Sequence, residues 1–207
     1  MRNYFKYAFY LIVLIAFSKA HADAYVDYFR AVDTDNADGV AALLARGFDP
    51  NTLSTYGQTG LYLAMREESL KVAEVLVASP ALKVDLANAA GETALMMAAL
   101  RGQLEWSKKL IAKGAKVNRA GWTPLHYAAT GPNAEVVALM LDQGAAIDAR
   151  APNGNTPLMM AIRHGSEESV SLLARRGADK KARNDRNESA ADLVRTLDKP
   201  WLLKYVE

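Results

Sequence analysis

Short apolar stretches with helical spacing recur along most of the chain. Apolar side chains form four similar stripes, Val72–Leu76, Leu110–Ile111, Val136–Leu141 and Val170–Leu173, and in all but the second they include pairs three or four positions apart. This spacing places the side chains on one face of a helix. Each stripe follows a stretch that begins with threonine, has leucine two positions later and then contains alanine. The pattern therefore predicts pairs of helices, a slim first helix and a more aliphatic second one.

The pairs keep a regular register. A unit Gly-x-Thr-(Gly/Ala/Pro)-Leu occurs four times and is followed by a degraded copy, with the hydroxyl residues at Thr59, Thr93, Thr123, Thr156 and Ser189. A second marker, Gly-Ala, lies 21 residues beyond three of these threonines, at Gly114, Gly144 and Gly177. Because the two markers keep a constant distance from each other, they indicate true internal repeats. The repeat length, about 33 residues, determines the fold class.

The period and the segment Gly121–Ala129 (GWTPLHYAA) resemble ankyrin repeats. The resemblance covers essentially all of the chain after its first 22 residues. It implies an all-α fold, an ankyrin-repeat solenoid of stacked helix-turn-helix units joined by β-turn fingers. It also implies that His126 makes structural hydrogen bonds between neighbouring turns.

The repeat positions also have local physical interpretations. Threonine suits the helix start because its oxygen accepts a hydrogen bond from an orphan N–H group, and proline suits the first turn. The three Gly-Ala glycines fit left-handed helix stops. We predict one domain over 23–207, with an N-terminal cap over about 23–53, four central repeats over 54–183 and a C-terminal cap over 184–207. In the last cap, Asp192 takes the imidazole position, and Trp201, Leu202 and Tyr205 are expected to close the apolar end.

The first residues are typical of an export signal. Arg2 and Lys6 precede the apolar run 8–17, and Ala20-His21-Ala22 forms an A-x-A cleavage site. The run is about half the roughly 20 residues that a membrane span needs. We predict a cleavable signal peptide over 1–22, no stable membrane insertion afterwards, and a periplasmic or secreted protein. An uncleaved N-terminal anchor is the alternative.

Charge and composition exclude several function classes. The leader carries three basic residues and no acid, so the net charge of +2 becomes −1 after its removal. A near-neutral chain gives no electrostatic reason to expect a nucleic-acid partner. The chain has no cysteine, and its histidines lack metal-ligand spacing. We predict no catalytic residue, no metal and no cofactor, and a monomer that binds a protein of unknown identity.

Two irregularities interrupt the repeat. The interval from Val117 to Gly121 is three residues shorter than its counterparts, and one interpretation is a functional notch in the row of fingers with Trp122 exposed beside it as a binding anchor. Neutral trimming of a surface loop explains the same observation. Separately, Pro80 is expected to end the preceding helix early.

In ankyrin solenoids, the concave face comprises the finger tips and the exposed side of each first helix. Transferred to this chain by the resemblance, the predicted partner-binding residues are Tyr56, Gln58, Arg66, Glu92, Leu100, Arg101, Trp122, Thr130, Asn153, Asn155, Arg163 and His164. Tyrosine, tryptophan and arginine dominate many interfaces. We expect the partner to present acidic surface to Arg66, Arg101 and Arg163.

The sequence thus predicts a non-catalytic protein–protein interaction module that acts outside the cytoplasm and binds or protects a periplasmic protein. An immunity protein that occludes an envelope-targeted toxin is the alternative. A third hypothesis, an enzyme, requires His164 to line a closed pocket together with Glu167 or Glu168.

Overall fold

The computed structural model describes residues 22–207. The predicted signal peptide lies outside the described residues except for Ala22. Among residues 22–207, none of the helices combines the length and the apolar character that crossing a bilayer requires.

The described chain is built of paired helices with no strand between them, which confirms the predicted all-α solenoid. Residues 22–33 are helical and form α1. The remaining helices are α2 (Ala37–Ala45), α3 (Gly60–Glu67), α4 (Leu70–Ala78), α5 (Ala94–Leu100), α6 (Leu104–Ala112), α7 (Pro124–Thr130), α8 (Ala134–Asp142), α9 (Pro157–His164), α10 (Glu167–Arg175), α11 (Ala190–Thr196) and α12 (Leu203–Val206).

The helices form two rows. The first helices of successive pairs, α3, α5, α7, α9 and α11, pack on one another in chain order, and the second helices α2, α4, α6, α8 and α10 form the other row. The repeated leucines of the first helices are completely or almost completely buried, and so are Leu76, Leu110, Met140 and Leu173 of the second helices. One apolar core therefore runs along the stack, and each repeat is stabilised by its neighbours.

The hydroxyl residues cap the first helices as predicted. The side-chain oxygens of Thr59, Thr93, Thr123, Thr156 and Ser189 accept hydrogen bonds from the backbone N–H three residues later, at 3.0–3.4 Å. Asp192 occupies the imidazole position of the last unit, and its carboxylate accepts hydrogen bonds from the N–H and hydroxyl of Ser189. The three predicted helix-stop glycines have positive φ angles of 103°, 79° and 92°.

Five fingers connect the helix pairs, and the third is short. The fingers are residues 46–59, 79–93, 113–123, 143–156 and 176–189. Four of them are closed by the same backbone hydrogen bond between residues four apart, from Ser54 to Gln58, Asn88 to Glu92, Ala151 to Asn155 and Asn184 to Glu188. Within the described chain, the third finger has no such bond, because the missing residues are those that would form the turn.

A ladder of polar side chains joins one finger to the next. The side-chain oxygens of Asn51, Asp85, Asn118 and Asp148 each accept a hydrogen bond from a backbone N–H in the following finger, at 2.7–3.1 Å. The ladder continues through the third finger by way of Asn118. The short finger therefore loses its own closing turn but keeps its connection to the stack.

The structure corrects two predictions about helix ends. Helix α4 has nine residues, as do α6, α8 and α10. Pro80 follows its C-cap Ser79, so the proline replaces the usual glycine stop without shortening the helix. At the C-terminus, Leu202 and Val206 are buried, but Trp201 is 53% exposed. A 3-10 turn over Pro200–Leu202 directs Leu202 inward and leaves its neighbour Trp201 outside.

Candidate functional site

The predicted binding residues lie on the face formed by the fingers and the first helices, with unequal accessibility. Tyr56 is 82% exposed, and Arg101, Asn153 and His164 are also exposed. The half-buried members are Gln58, Arg66, Glu92, Leu100, Trp122, Thr130 and Arg163. The face is therefore a mixture of open and anchored side chains, and its role in binding stays a prediction.

Asn155 differs from the expectation for a surface position. It is only 6% exposed. Its side-chain oxygen accepts a hydrogen bond from Asn184 at 2.9 Å, and its carbonyl oxygen bonds to Nε2 of His126 at 3.1 Å. Because these contacts join three successive units, Asn155 stabilises the stack and offers a partner little surface.

Trp122 is half-buried, contrary to the prediction that it stands exposed. Its ring meets His126 edge-on with centroids 5.4 Å apart, and Tyr127 edge-on at 6.4 Å. Edge-to-face geometry suits aromatic rings. The indole is thus fixed against α7, at the base of the short finger.

Two pockets adjoin at this tryptophan. An apolar pocket of about 210 Å³ lies between α5, α7 and α9, and its lining includes Leu100, Tyr127, Thr130 and Met160. A polar pocket of about 380 Å³ extends toward the fourth and fifth fingers, with Arg163, His164 and Arg186 in its wall. Trp122 and Met160 line both pockets. We call the two pockets together the Trp122 groove.

A half-buried carboxylate connects three repeats beside the groove. Glu92 accepts hydrogen bonds from the hydroxyl of Tyr62 at 2.9 Å, from the hydroxyl of Tyr127 at 2.7 Å and from the amide of Asn88 at 2.8 Å. Burial opposes ionisation of Glu92, but the three hydrogen bonds outweigh it and lower the pKa of this carboxyl. Burial and the same carboxylate raise the pKa of Tyr62 to about 12. The cluster therefore holds one negative charge between two neutral phenols.

The arginines expected to meet an acidic partner already have intramolecular contacts. Arg66 pairs with Glu67 at 2.5 Å, and Arg101 donates a hydrogen bond to the carbonyl oxygen of Arg66 at 2.6 Å. Arg163, whose side chain is 22% exposed, pairs with Glu188 at 2.9 Å. Its Nε atom is buried and has no hydrogen-bond partner among the described residues. Arg163 is thus only partly satisfied by the fold.

The histidines have separate environments. His126 is fully buried, with Nδ1 at 2.8 Å from the hydroxyl of Thr123, in agreement with its expected structural role. His164 lines the polar pocket of the groove, whereas Glu167 and Glu168 line a different pocket between α8 and α10. The arrangement required by the enzyme hypothesis is not formed. Within the described part of the chain, no cluster of His, Asp or Glu side chains suits a metal ion.

Several residues of the groove were not predicted from the sequence. Met160, Tyr127, Asn184 and Arg186 all line it. Met160 could have been found from the pair Met159-Met160, because adjacent residues of a helix point in different directions and Met159 is the buried one. No local pattern marks Arg186, because its place in the groove depends on how the fifth finger lies against the fourth.

Comparison with known proteins gives one consistent result. The family model of ankyrin repeats (3 copies) matches residues 29–120 and 108–184. The chain is 34% identical over 167 residues to a Rickettsia felis protein named as an ankyrin repeat protein, and the alignment covers 74% of this chain and 70% of that protein.

Two vertebrate relatives are much longer than the matched region. The nuclear factor NF-kappa-B p105 subunit of Gallus gallus is 32% identical over 161 residues, which are 74% of this chain and 16% of that protein. The B-cell lymphoma 3 protein homolog of Mus musculus is 30% identical over 173 residues, which are 80% of this chain and 39% of that protein. The chain spans less than two fifths of the length of either protein. Because the ankyrin model matches more than half of the chain, and the fold and repeat positions agree with it, the chain belongs to the ankyrin-repeat family.

Proposed function

We propose that this protein is a non-catalytic protein-binding module that acts outside the cytoplasm, in the periplasm or after secretion, and that its partner docks on the Trp122 groove. Ankyrin repeats imply protein–protein interaction, and solenoids of this kind use extended concave surfaces for it. The observation that carries the proposal is the pair of adjoining pockets around a fixed tryptophan, beside the only finger of the described five that lacks its closing turn.

The fixed position of Trp122 favours a role in binding. A side chain already held by its neighbours loses little conformational entropy when a partner arrives. Large aromatic side chains in pockets at the centre of an interface often carry most of its binding energy. Trp122 meets both conditions, since its edge contacts hold it and a pocket lies on each side.

A matched pair of tryptophan variants tests the proposal. Tagged wild-type protein, Trp122→Ala and Trp201→Ala are each used to capture partners from an extract of the source cells. We expect one specific protein with the wild type and with Trp201→Ala, whose residue is exposed outside the groove, and a loss of at least about tenfold with Trp122→Ala. Circular dichroism checks that both variants are folded. Equal capture by Trp122→Ala contradicts the proposed site.

The identity of the captured protein separates the two roles that the sequence left open. A housekeeping protein of the envelope supports binding or protection of a periplasmic partner. A toxic effector supports the immunity alternative.

Location outside the cytoplasm is supported by the basic start, the apolar run and the A-x-A site of residues 1–22. N-terminal sequencing of the protein from the periplasmic fraction or the medium is expected to begin at Asp23. Recovery in the membrane pellet after salt washing, with residues 1–22 retained, contradicts this part of the proposal.

A further inference from the structure

The two halves of the Trp122 groove differ in chemistry, and this difference indicates what the partner presents. The apolar half is lined by Leu100, Tyr127 and Met160, with the Trp122 ring as the wall shared with the polar half. Its volume of about 210 Å³ is suited to one large side chain and too small for a folded domain. An apolar side chain placed there leaves water, which is favourable in proportion to the area buried.

The acidic groups near the polar half each have a positive neighbour within the chain. Glu188 accepts hydrogen bonds from Arg163 and Asn184, both at 2.9 Å. Asp185 lies 4.0 Å from Arg150. Arg150, Arg163 and Arg186 therefore outnumber these two carboxylates by one positive charge.

The unpaired cation of the polar half is Arg186. The side chain of exposed Arg186 makes no ion pair or hydrogen bond with the described residues, and it lines the pocket together with Arg163, whose Nε atom is buried without a partner. Guanidinium groups bind carboxylates through paired N–H donors. The charge left over in this half of the groove is therefore complementary to an acid.

We propose that the Trp122 groove binds an extended segment of the partner protein in which a large apolar side chain, seated between α5, α7 and α9, lies next to an Asp or Glu that pairs with Arg186. This inference rests on the proposed function and adds the chemistry of the partner. Arg186 thus replaces Arg66 and Arg101 as the residue expected to contact the partner's acidic side chain. Arg66 already bonds to Glu67, and Arg101 bonds to the backbone.

Peptide selection tests this chemistry without knowledge of the natural partner. A random peptide library displayed on phage is selected on the immobilised protein, and the enriched peptides are synthesised with a fluorescent label. We expect enriched peptides to combine a large apolar residue with a neighbouring Asp or Glu. Replacing that acid by its amide, or the apolar residue by serine, is expected to weaken binding about tenfold in fluorescence anisotropy.

Two charge reversals in the same finger locate the acidic contact. Arg186→Glu is expected to weaken binding of the selected peptide at least tenfold, while Lys181→Glu leaves it unchanged, because Lys181 is exposed in the fifth finger but is not among the residues that line the groove. Neither side chain makes an ion pair with the described residues, so both variants are expected to fold. Equal weakening by both reversals, enrichment of basic peptides, or no enrichment at all overturns the inference.

These outcomes are distinct from failure of the proposed function. If Trp122→Ala abolishes capture of a cellular partner but selected peptides show no acidic preference, the binding face is correct and the proposed chemistry is wrong. If neither experiment depends on Trp122, the binding face itself is wrong.

Discussion

At the scale of single residues, the imidazole of His126 shows how one buried polar side chain connects repeats. Its ring bonds to Thr123 in its own unit and to the carbonyl oxygen of Asn155 in the next. Burial lowers the pKa of His126, and hydrogen bonds to backbone carbonyls only partly oppose this effect. The folded protein therefore favours the neutral ring, while the unfolded chain protonates near pH 6.5.

This difference predicts a pH dependence of stability. The contribution of the neutral ring is complete above about pH 6.5 and declines as the pH falls below it, because the unfolded chain then binds the proton first. Urea unfolding between pH 7 and pH 5 is expected to show a falling free energy of unfolding. His126→Met introduces the residue found at the same repeat position in Met96, whose sulfur lies 3.4 Å from the N–H of Thr93, and is expected to be about 1 kcal/mol less stable at pH 7. The free energy of unfolding of this variant is also expected to fall less between pH 7 and pH 5 than that of the wild type. An equal fall in the two proteins contradicts the role of the His126 ring.

Residue positions that depend only on local structure were predictable, and those that depend on contacts between repeats were not. The capping hydroxyls and helix-stop glycines follow from short-range geometry, and all occur as expected. The burial of Asn155, by contrast, results from bonds to residues 29 positions away on either side. No periodicity along the chain carries that information.

At the scale of elements, close packing between first helices limits the side chains at their ends. Gly165 follows α9, and a Cβ atom at this position would lie 2.1 Å from the carbonyl oxygen of Ala129 in α7. This oxygen belongs to the backbone of α7, which cannot move aside as a flexible side chain can. Gly144 has a different constraint, since its φ is +79° but no described atom outside its immediate chain neighbours would lie within 4 Å of a Cβ there.

Substitution by asparagine separates the two constraints. Gly165→Asn is expected to lower the free energy of unfolding by about 1–3 kcal/mol through steric conflict between repeats. Gly144→Asn is expected to cost less than about 1 kcal/mol, since asparagine tolerates the left-handed conformation. Thermal and urea unfolding give both values. An equal decrease in the free energy of unfolding at the two positions contradicts close packing between α7 and α9 at Gly165.

The Glu92 cluster joins elements of three repeats and also predicts a pH effect. Because hydrogen bonds lower the pKa of Glu92, its carboxylate stabilises the fold above about pH 4.3, the ordinary value of a glutamate, and the effect is lost as the pH falls through the folded-state pKa. Glu92→Gln is expected to lower stability at pH 7 by about 1–3 kcal/mol, with the difference shrinking below pH 4.

An exposed glutamate provides the control. Glu105→Gln removes a surface pair with Lys108 and a negative charge in the first turn of α6, which together are expected to contribute no more than about 1 kcal/mol. Similar effects of both substitutions at pH 7 contradict a special role for Glu92.

At the scale of the whole molecule, the repeat period was sufficient to predict the all-α solenoid, because each unit repeats the same helix pair. The groove was only partly predictable. The short third finger and Trp122 were visible in the sequence, but the two pockets arise where α5, α7, α9 and the last two fingers meet. Arg163 was expected to meet an acidic partner, and its pairing with Glu188 depends on the relative position of two neighbouring repeats.

The central claim is that a protein partner docks on the face formed by the fingers and first helices, at the Trp122 groove. Site-specific photocrosslinking in cells tests it most directly, with a benzoylphenylalanine placed at Asn153, exposed in the wall of the groove, or at Arg175, exposed on α10 in the other helix row. We predict one dominant crosslinked protein from position 153 and none from position 175. Crosslinking to the same protein from position 175 but not from position 153 would contradict the claim.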